Sequence, residues 1–469
     1  MLQDMQQTGF GSEEVSKIDF INFIKGVYKR LFPIKNIQTA LNIKPAISKE
    51  MLDCIRVWQD CYSGRSYWVD KDVKSLKLEQ SITREFSNTV INEMTASVTV
   101  PKLDNVFQKA KRNIGIYLQR GLATGAMVIK PIGGDRVQYV AANAFIPVEY
   151  DSGGRLIKVI FPEFKNIGDN YYTRLEYHNL DHENGLVITN KSYVSNNANT
   201  LGEEIPIFYV DEWKNLAPFT SYPMMNRPAF GYYRNPIDNK IDGSHCGVSI
   251  FDSAIDLIRL ADIQFSRLDW EFESGERTVL IDQSALEPIR TIEGLKKFEM
   301  PKLNERLYKG INLSEGSNGE DFYKEFSPQF RQADIISGLE EYKRNIEFAV
   351  GLAYGDLSNP QFVDKTATEV LASKQRKYNT VTAIQENLKD CLDDLVYALA
   401  FYNSMTKSGY KFNCDFKDSI LTDEREERKQ DQQDLANGTL RPDEYRSKWR
   451  GEDIETAREN LPQTAQVID

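Results

Sequence analysis

The stretch from Ala333 to Met405 constrains this chain more than any other, because it reads as a helix, a break and a much longer helix. In its first part Ile335, Ile336, Leu339, Tyr342, Ile346 and Ala349/Val350 recur at helical spacing. Glu340, Glu341, Lys343, Arg344 and Glu347 fall mostly between them. This predicts a helix over Ala333–Leu352. Gly351 and Gly355 then loosen the backbone, and Pro360 cannot occupy a helix interior, so Tyr354–Asp364 is expected to be a loop. From Thr366 apolar residues resume at three- and four-residue steps, through Val370, Leu371, Tyr378, Val381, Ile384, Leu388, Cys391, Leu392, Leu395, Leu399 and Tyr402. No Pro or Gly interrupts them before Gly409, which allows about forty residues, or ~60 Å, of continuous helix. Few single globular domains need such a rod; an elongated architecture does.

With 469 residues, 41% of them hydrophobic and 27% charged, the chain can bury a large core, and its length suggests roughly two to four domains. A net charge of -11 and a pI near 5.2 argue against a protein that grips nucleic acid over its whole surface. They leave room for one that handles DNA without holding it. Cys54, Cys61, Cys246, Cys391 and Cys414 are odd in number and scattered, which reads as reduced thiols in a cytosolic setting. Met1–Phe10 is polar rather than a signal peptide, and no apolar run is long enough to cross a bilayer. A soluble intracellular product is expected.

Taken in order, helices are expected over Ile18–Phe32, Ser48–Cys61 with Ser48 as N-cap, Ile82–Ser97 and Asp104–Gly121. From Gly125 the period changes. Ala126–Pro131, Arg136–Ala141, Phe145–Tyr150, Ile157–Phe164, Tyr171–Leu180 and Leu186–Val194 are short runs rich in Val, Ile and Tyr, separated by Gly-containing turns. They predict a β-meander and an N-terminal α+β domain closing near Ile207. Trp213–Asn239, with four prolines and many aromatics, reads as an ordered connector wrapped over another surface. Val248–Glu273 reads as a second strong helix with an acidic remainder, and Gly275–Gln332 as a compact α/β insert. The insert is expected to hold a strand at Arg277–Ile281 and a hairpin-like pair around Gly316–Gly319. Thr422–Arg458 is charge-dense, with short helices at Asp443–Trp449 and Asp453–Asn460, and reads as a solvated helical appendage.

Motifs for chemistry are sparse. There is no G-x-x-x-x-G-K-[ST], and Gly133-Gly134 and Gly153-Gly154 read as hairpin turns. His178 and His182 have the i, i+4 spacing of a zinc pair, but they fall on an expected strand. His245 and Cys246 lack a partner signature for a Cys nucleophile. Carboxylate pairs such as Asp252 and Asp256, or Asp393 and Asp394, would serve a two-metal nuclease only by converging in space. No cofactor, metal or catalytic residue is assigned.

The run Asp364–Thr382, beginning D-K-T-A-T-E-V, resembles the segment after the tunnel loop in portal proteins of tailed phages with Gram-positive hosts. The motif residues are Lys365, Thr366, Ala367, Thr368, Glu369 and Val370. Such portals also carry an aromatic stretch followed by G-x-S-I-F before a long helix, matched here by Gly247, Ser249, Ile250 and Phe251. The order of elements is similar across most of the chain. The resemblance implies an α+β portal fold: a wing over residues 1–247, a first stem helix over 248–274, a clip over 275–331 and a second stem helix over 332–353. A tunnel loop over 354–365, a long wing helix with its following segment over 366–421, and a crown over 422–469 complete it.

It further implies a non-enzymatic, dodecameric ring at one capsid vertex of the virion, assembled in the host cytoplasm. Double-stranded DNA would pass through that ring non-specifically during packaging and ejection. The implied partners are the terminase large subunit, the head-tail adaptor, and the major capsid and scaffolding proteins, with no membrane. The loop residues expected to line the channel are Asp356, Leu357, Ser358, Asn359, Pro360, Gln361, Phe362, Val363, Asp364 and Lys365, a Gly-flanked mobile loop. Asp262, Asp269, Glu271, Glu273, Glu340 and Glu341 are the candidates for an acidic wall. Such a wall repels phosphates within the ~8 Å Debye length, where a Lys/Arg lining would bind them and stall passage. The alternatives are a Mg²⁺-dependent nucleic-acid enzyme and another structural protein of a phage head.

Overall fold

The computed structural model describes residues 34–461 except 182, 276–277, 283–287, 291–295, 299–307, 312–322, 327–328, 361–366 and 417–423. The helix expected over Ile18–Phe32 lies outside the described residues. The chain opens with α1 (Ile34–Leu41), α2 (Lys49–Tyr62) and α3 (Leu78–Glu93). Ser48 caps α2 as expected, its hydroxyl accepting the Met51 N–H at 3.0 Å. The helix expected to run to Ser97 stops at Glu93, because Met94–Val98 (β1) pairs antiparallel with Phe412–Phe416 near the other end of the chain. The single helix expected over Asp104–Gly121 is two, α4 (Pro101–Lys111) and α5 (Ile114–Thr124), interrupted where Asn113 leaves helical geometry.

The strands that follow are β2 (Ala126–Pro131), β3 (Val137–Ala141), β4 (Ile146–Tyr150), β5 (Leu156–Ile167), β6 (Asn170–Asp181), β7 (Gly185–Ser195), β8 (Glu203–Ile205), β9 (Phe219–Tyr222) and β10 (Gly231–Arg234). They do not form one meander. β4 to β8 make an antiparallel sheet in sequence order, with β9 added on β7, while β2 lies between β10 and β3 in a separate sheet. The connector therefore supplies strands to both sheets. Strand β10 needs Gly231, because a Cβ there would sit 2.2 Å from the Cys391 carbonyl oxygen.

The next helix, α6, spans Ile255–Ser274 and starts later than expected. Asn235 donates to the carbonyls of both Leu122 and Val248 at 2.8 Å, which holds the chain before α6 in a non-helical path. The insert carries β11 (Thr278–Asp282), β12 (Pro288–Arg290), β13 (Lys296–Phe298), β14 (Tyr308–Ile311) and β15 (Tyr323–Phe326). β14 and β15 flank Gly316–Gly319 but are not a hairpin, since β11 lies between them, parallel to β14 and antiparallel to β15.

Then come α7 (Gln332–Val350), α8 (Ala367–Tyr402), β16 (Phe412–Phe416), α9 (Glu424–Ala436), α10 (Pro442–Arg450) and α11 (Ile454–Glu459). The long helix is present, and one face of it is core: Ile384, Leu388, Cys391, Leu392, Leu395 and Leu399 are fully buried. They belong to one contiguous apolar cluster running from Met51 to Cys414. No domain closes near Ile207, because β10, α8 and β16 complete the core that the N-terminal helices begin. The charged C-terminal helices pack on one another, with Asp443 buried between Arg441 and Arg458 at 2.7 and 3.1 Å.

Candidate functional site

Helices α6 and α7 run antiparallel. Ser253 donates to the Ala349 carbonyl at one end, Gln264 to the Ile335 carbonyl midway, and Arg331 to Glu271 at the other. Their upper halves enter the core through Ile258, Ala261, Leu339 and Ile346. Past Ala261 on α6, and before Leu339 on α7, no apolar side chain is fully buried; Phe265 is only partly so. The lower halves carry Trp270, Phe272 and the adjoining Phe330 at 59%, 47% and 49% exposure.

The six carboxylates expected to line a channel divide into two sets. Asp262 is fully buried and spent within the chain: it accepts the Trp68 indole N–H at 2.8 Å and the Leu76 N–H at 2.7 Å. Burial pushes its pKa up in spite of these bonds. Glu271 is covered by Arg331, which holds its pKa below the usual carboxylate range. Glu340 is buried against Lys343 and the Asn359 N–H; burial raises its pKa, but these partners outweigh it and the net shift is downward. These three do not face solvent, a correction to the expected acidic wall. Asp269 pairs with Lys74, Glu341 with Arg344, and both keep about half of the side chain exposed. Glu273 is exposed. The accessible surface of the pair is thus mixed in sign, since many of its acids are bound to cations of the same chain.

The loop after α7 is less free than its glycines suggest. Gly351 ends the helix in the left-handed region, at φ +84. The Gly355, Leu357 and Ser358 N–H groups then converge on Glu347 Oε1, and the Ser358 hydroxyl donates to Oε2. Asp356 accepts the Ala353 N–H and pairs with Lys377 of α8. Leu357 packs against the core and Ser358 is buried. The expected mobility therefore does not extend to Asp356–Asn359, because carboxylates of α7 hold it. Gln361, Phe362, Val363, Asp364, Lys365 and Thr366 lie outside the described residues. Ala367, Thr368, Glu369 and Val370 open α8.

Other candidates do not assemble. His178 lies on β6, buried against Glu176 at 2.7 Å, and His182 lies outside the described residues. Asp393 and Asp394 both bind Arg227, and Asp252 accepts the Trp58 indole N–H. Burial raises the Cys246 thiol pKa, the opposite of an activated nucleophile. Among the described residues no cluster of three or more His, Cys, Asp or Glu is placed to hold a metal ion. No described helix is long and apolar enough to cross a membrane.

Sequence reasoning missed Glu347 and the strap of residues 66–76 that occupies Asp262. Neither leaves a local signal, since each bond joins segments distant in sequence or crosses a turn. Compared with known proteins, the chain matches no family model. It has no significant match among curated proteins either.

Proposed function

We propose that the chain is the subunit of a ring-shaped channel for double-stranded DNA at a capsid vertex, a portal of the tailed-phage type. The observation that carries this reading is the α6/α7 pair. It leaves the core with little buried apolar surface of its own and carries Trp270, Phe272 and Phe330 toward solvent. Phe272 meets Phe330 at 5.8 Å between ring centroids, and Trp270, two residues away on the helix, faces the other side; large apolar side chains exposed in this way mark association surfaces. Copies set side by side around an axis would cover these residues in every subunit alike. The K-T-A-T-E-V run and the order of two antiparallel helices around an insert, a loop and a 36-residue helix support the same reading.

In this reading the α6/α7 pairs form the wall, and the insert meets the terminase motor and the adaptor. A mixed-sign wall suits passage without grip, because few free cations remain to neutralise phosphates. Negative-stain microscopy and light scattering of the purified protein test the proposal. Annular particles near twelve times the 53.8 kDa chain mass are expected. A solitary polypeptide at every concentration would overturn it.

A further inference from the structure

We propose that Glu347, a residue outside the loop, is its positioning residue, so that Gly355–Asn359 moves only with α7. The Glu347 carboxylate is fully buried. Its Oε1 accepts the N–H of Leu357 at 2.6 Å, of Ser358 at 2.7 Å and of Gly355 at 3.2 Å, while Oε2 accepts the Ser358 hydroxyl at 2.9 Å. Two turns earlier on α7, Glu340 Oε2 accepts the Asn359 N–H at 2.6 Å. Neighbouring N–H groups converging on one anion form a nest. Here the preceding helix supplies the anion. Bonds to an ionised acceptor are stronger than neutral ones, and a buried carboxylate stripped of them is costly. The loop root and its carboxylate therefore separate only together with a larger opening.

A second set of contacts secures the root from α8. Lys377 pairs with Asp356 at 3.1 Å and with Glu85 of α3 at 2.8 Å. Arg376 donates to the Leu352 carbonyl at 3.3 Å, and its guanidinium lies over the Phe348 and Tyr354 rings at 4.7 and 5.3 Å. Force applied to the root is thus shared by α3, α7 and α8. The latch stands on this geometry alone; its bearing on DNA passage rests on the proposed function.

Chymotrypsin cleavage after Tyr354 and Leu357, mapped by mass spectrometry on the full chain, tests the latch. Glu347→Gln keeps an acceptor without the charge, Glu347→Leu removes both, and Ser358→Ala removes one donor that Ser358→Thr restores. Expected cleavage is slowest in wild type and Ser358→Thr, intermediate in Ser358→Ala and Glu347→Gln, and roughly tenfold faster than wild type in Glu347→Leu, at unchanged helicity. Wild-type cleavage rates in Glu347→Gln and Ser358→Ala overturn the latch, and these two milder variants decide the matter if Glu347→Leu does not fold. In phage particles, Glu347→Gln rings are expected to assemble but to yield fewer filled heads. Normal filling by rings whose loop root is cleavable would overturn the latch's bearing on DNA passage. Failure of the wild-type chain to form any ring sinks the proposed function instead, and leaves the cleavage result readable.

Discussion

The Trp68 indole donates to the Asp262 carboxylate at 2.8 Å, tying a segment between α2 and α3 to the flank of α6. The contact is one of a series: Trp58 binds Asp252, the Leu76 N–H binds Asp262, and the Lys74 N–H binds Ser266. Trp68→Phe keeps an aromatic side chain but trims the indole to a phenyl ring and deletes the donor, leaving a buried carboxylate oxygen short of a partner. It is expected to destabilise the chain by about 1–3 kcal/mol. The urea midpoint reads this, and a shift worth less than about 0.5 kcal/mol would show that the strap does not depend on the bond.

Glu79 lies beside this contact and should make stability fall with rising pH. It is fully buried, one carboxylate oxygen has no hydrogen-bond partner, and the other is 3.5 Å from the Ser66 hydroxyl. Burial, with a smaller contribution from Asp262, pushes its pKa from 4.5 to about 7. The folded chain therefore keeps a proton that the unfolded chain releases above 4.5. The stabilisation is present at low pH and is lost progressively as pH rises through about 7, by on the order of 3 kcal/mol. Glu79→Gln removes the titration, so its Tm should rise relative to wild type as pH goes from 5 to 8. Parallel Tm curves would refute the assignment.

Gly231 sets how closely β10 approaches α8. In Gly231→Ala the new methyl would meet the Cys391 carbonyl oxygen at 2.2 Å and its Sγ at 3.0 Å, and the carbonyl is helix backbone that cannot swing aside. A loss of about 1–3 kcal/mol is expected from overpacking. Gly338→Ala on α7 is the contrast, since its methyl meets only the tip of Gln264 at 3.3 Å. It should change stability by less than about 1 kcal/mol. Equal effects of the two in chemical denaturation would contradict the packing described.

What the sequence made legible was local. The apolar repeat through Leu388, Leu392, Leu395 and Leu399 marked α8, Ser48 marked the start of α2, and Gly351 with Pro360 marked the loop. Met94–Val98 was invisible as a strand because its partner, Phe412–Phe416, lies near the other end of the chain. The β-region was read as one meander because Gly231–Arg234, which claims β2, comes from the connector. Among the carboxylates, Asp262 and Glu273 look alike in a helical repeat; only distant Trp68 and Leu76 make one internal and leave the other exposed. Glu347 sat among charged positions of α7, and its role depends on N–H groups presented by a turn that periodicity does not describe. Helical spacing gives the face a residue occupies, but its partner is decided by the rest of the fold.

Trp270 and Phe272 should matter to assembly and hardly at all to the fold. Each is about half exposed or more, and Phe272 meets Phe330 at 5.8 Å between ring centroids on an otherwise open surface. Aromatic side chains of this kind carry much of the free energy where they are covered by a partner. Trp270→Glu and Phe272→Glu place a charge where a neighbouring copy would have to exclude water. Both should leave the Tm of the isolated chain within about 2 °C of wild type, since little burial within the chain is lost. Ring formation should need at least tenfold more protein, read by mass photometry across a dilution series. Wild-type assembly by both variants would mean that the lower halves of α6 and α7 are not where copies meet, and the ring would have to be held together elsewhere.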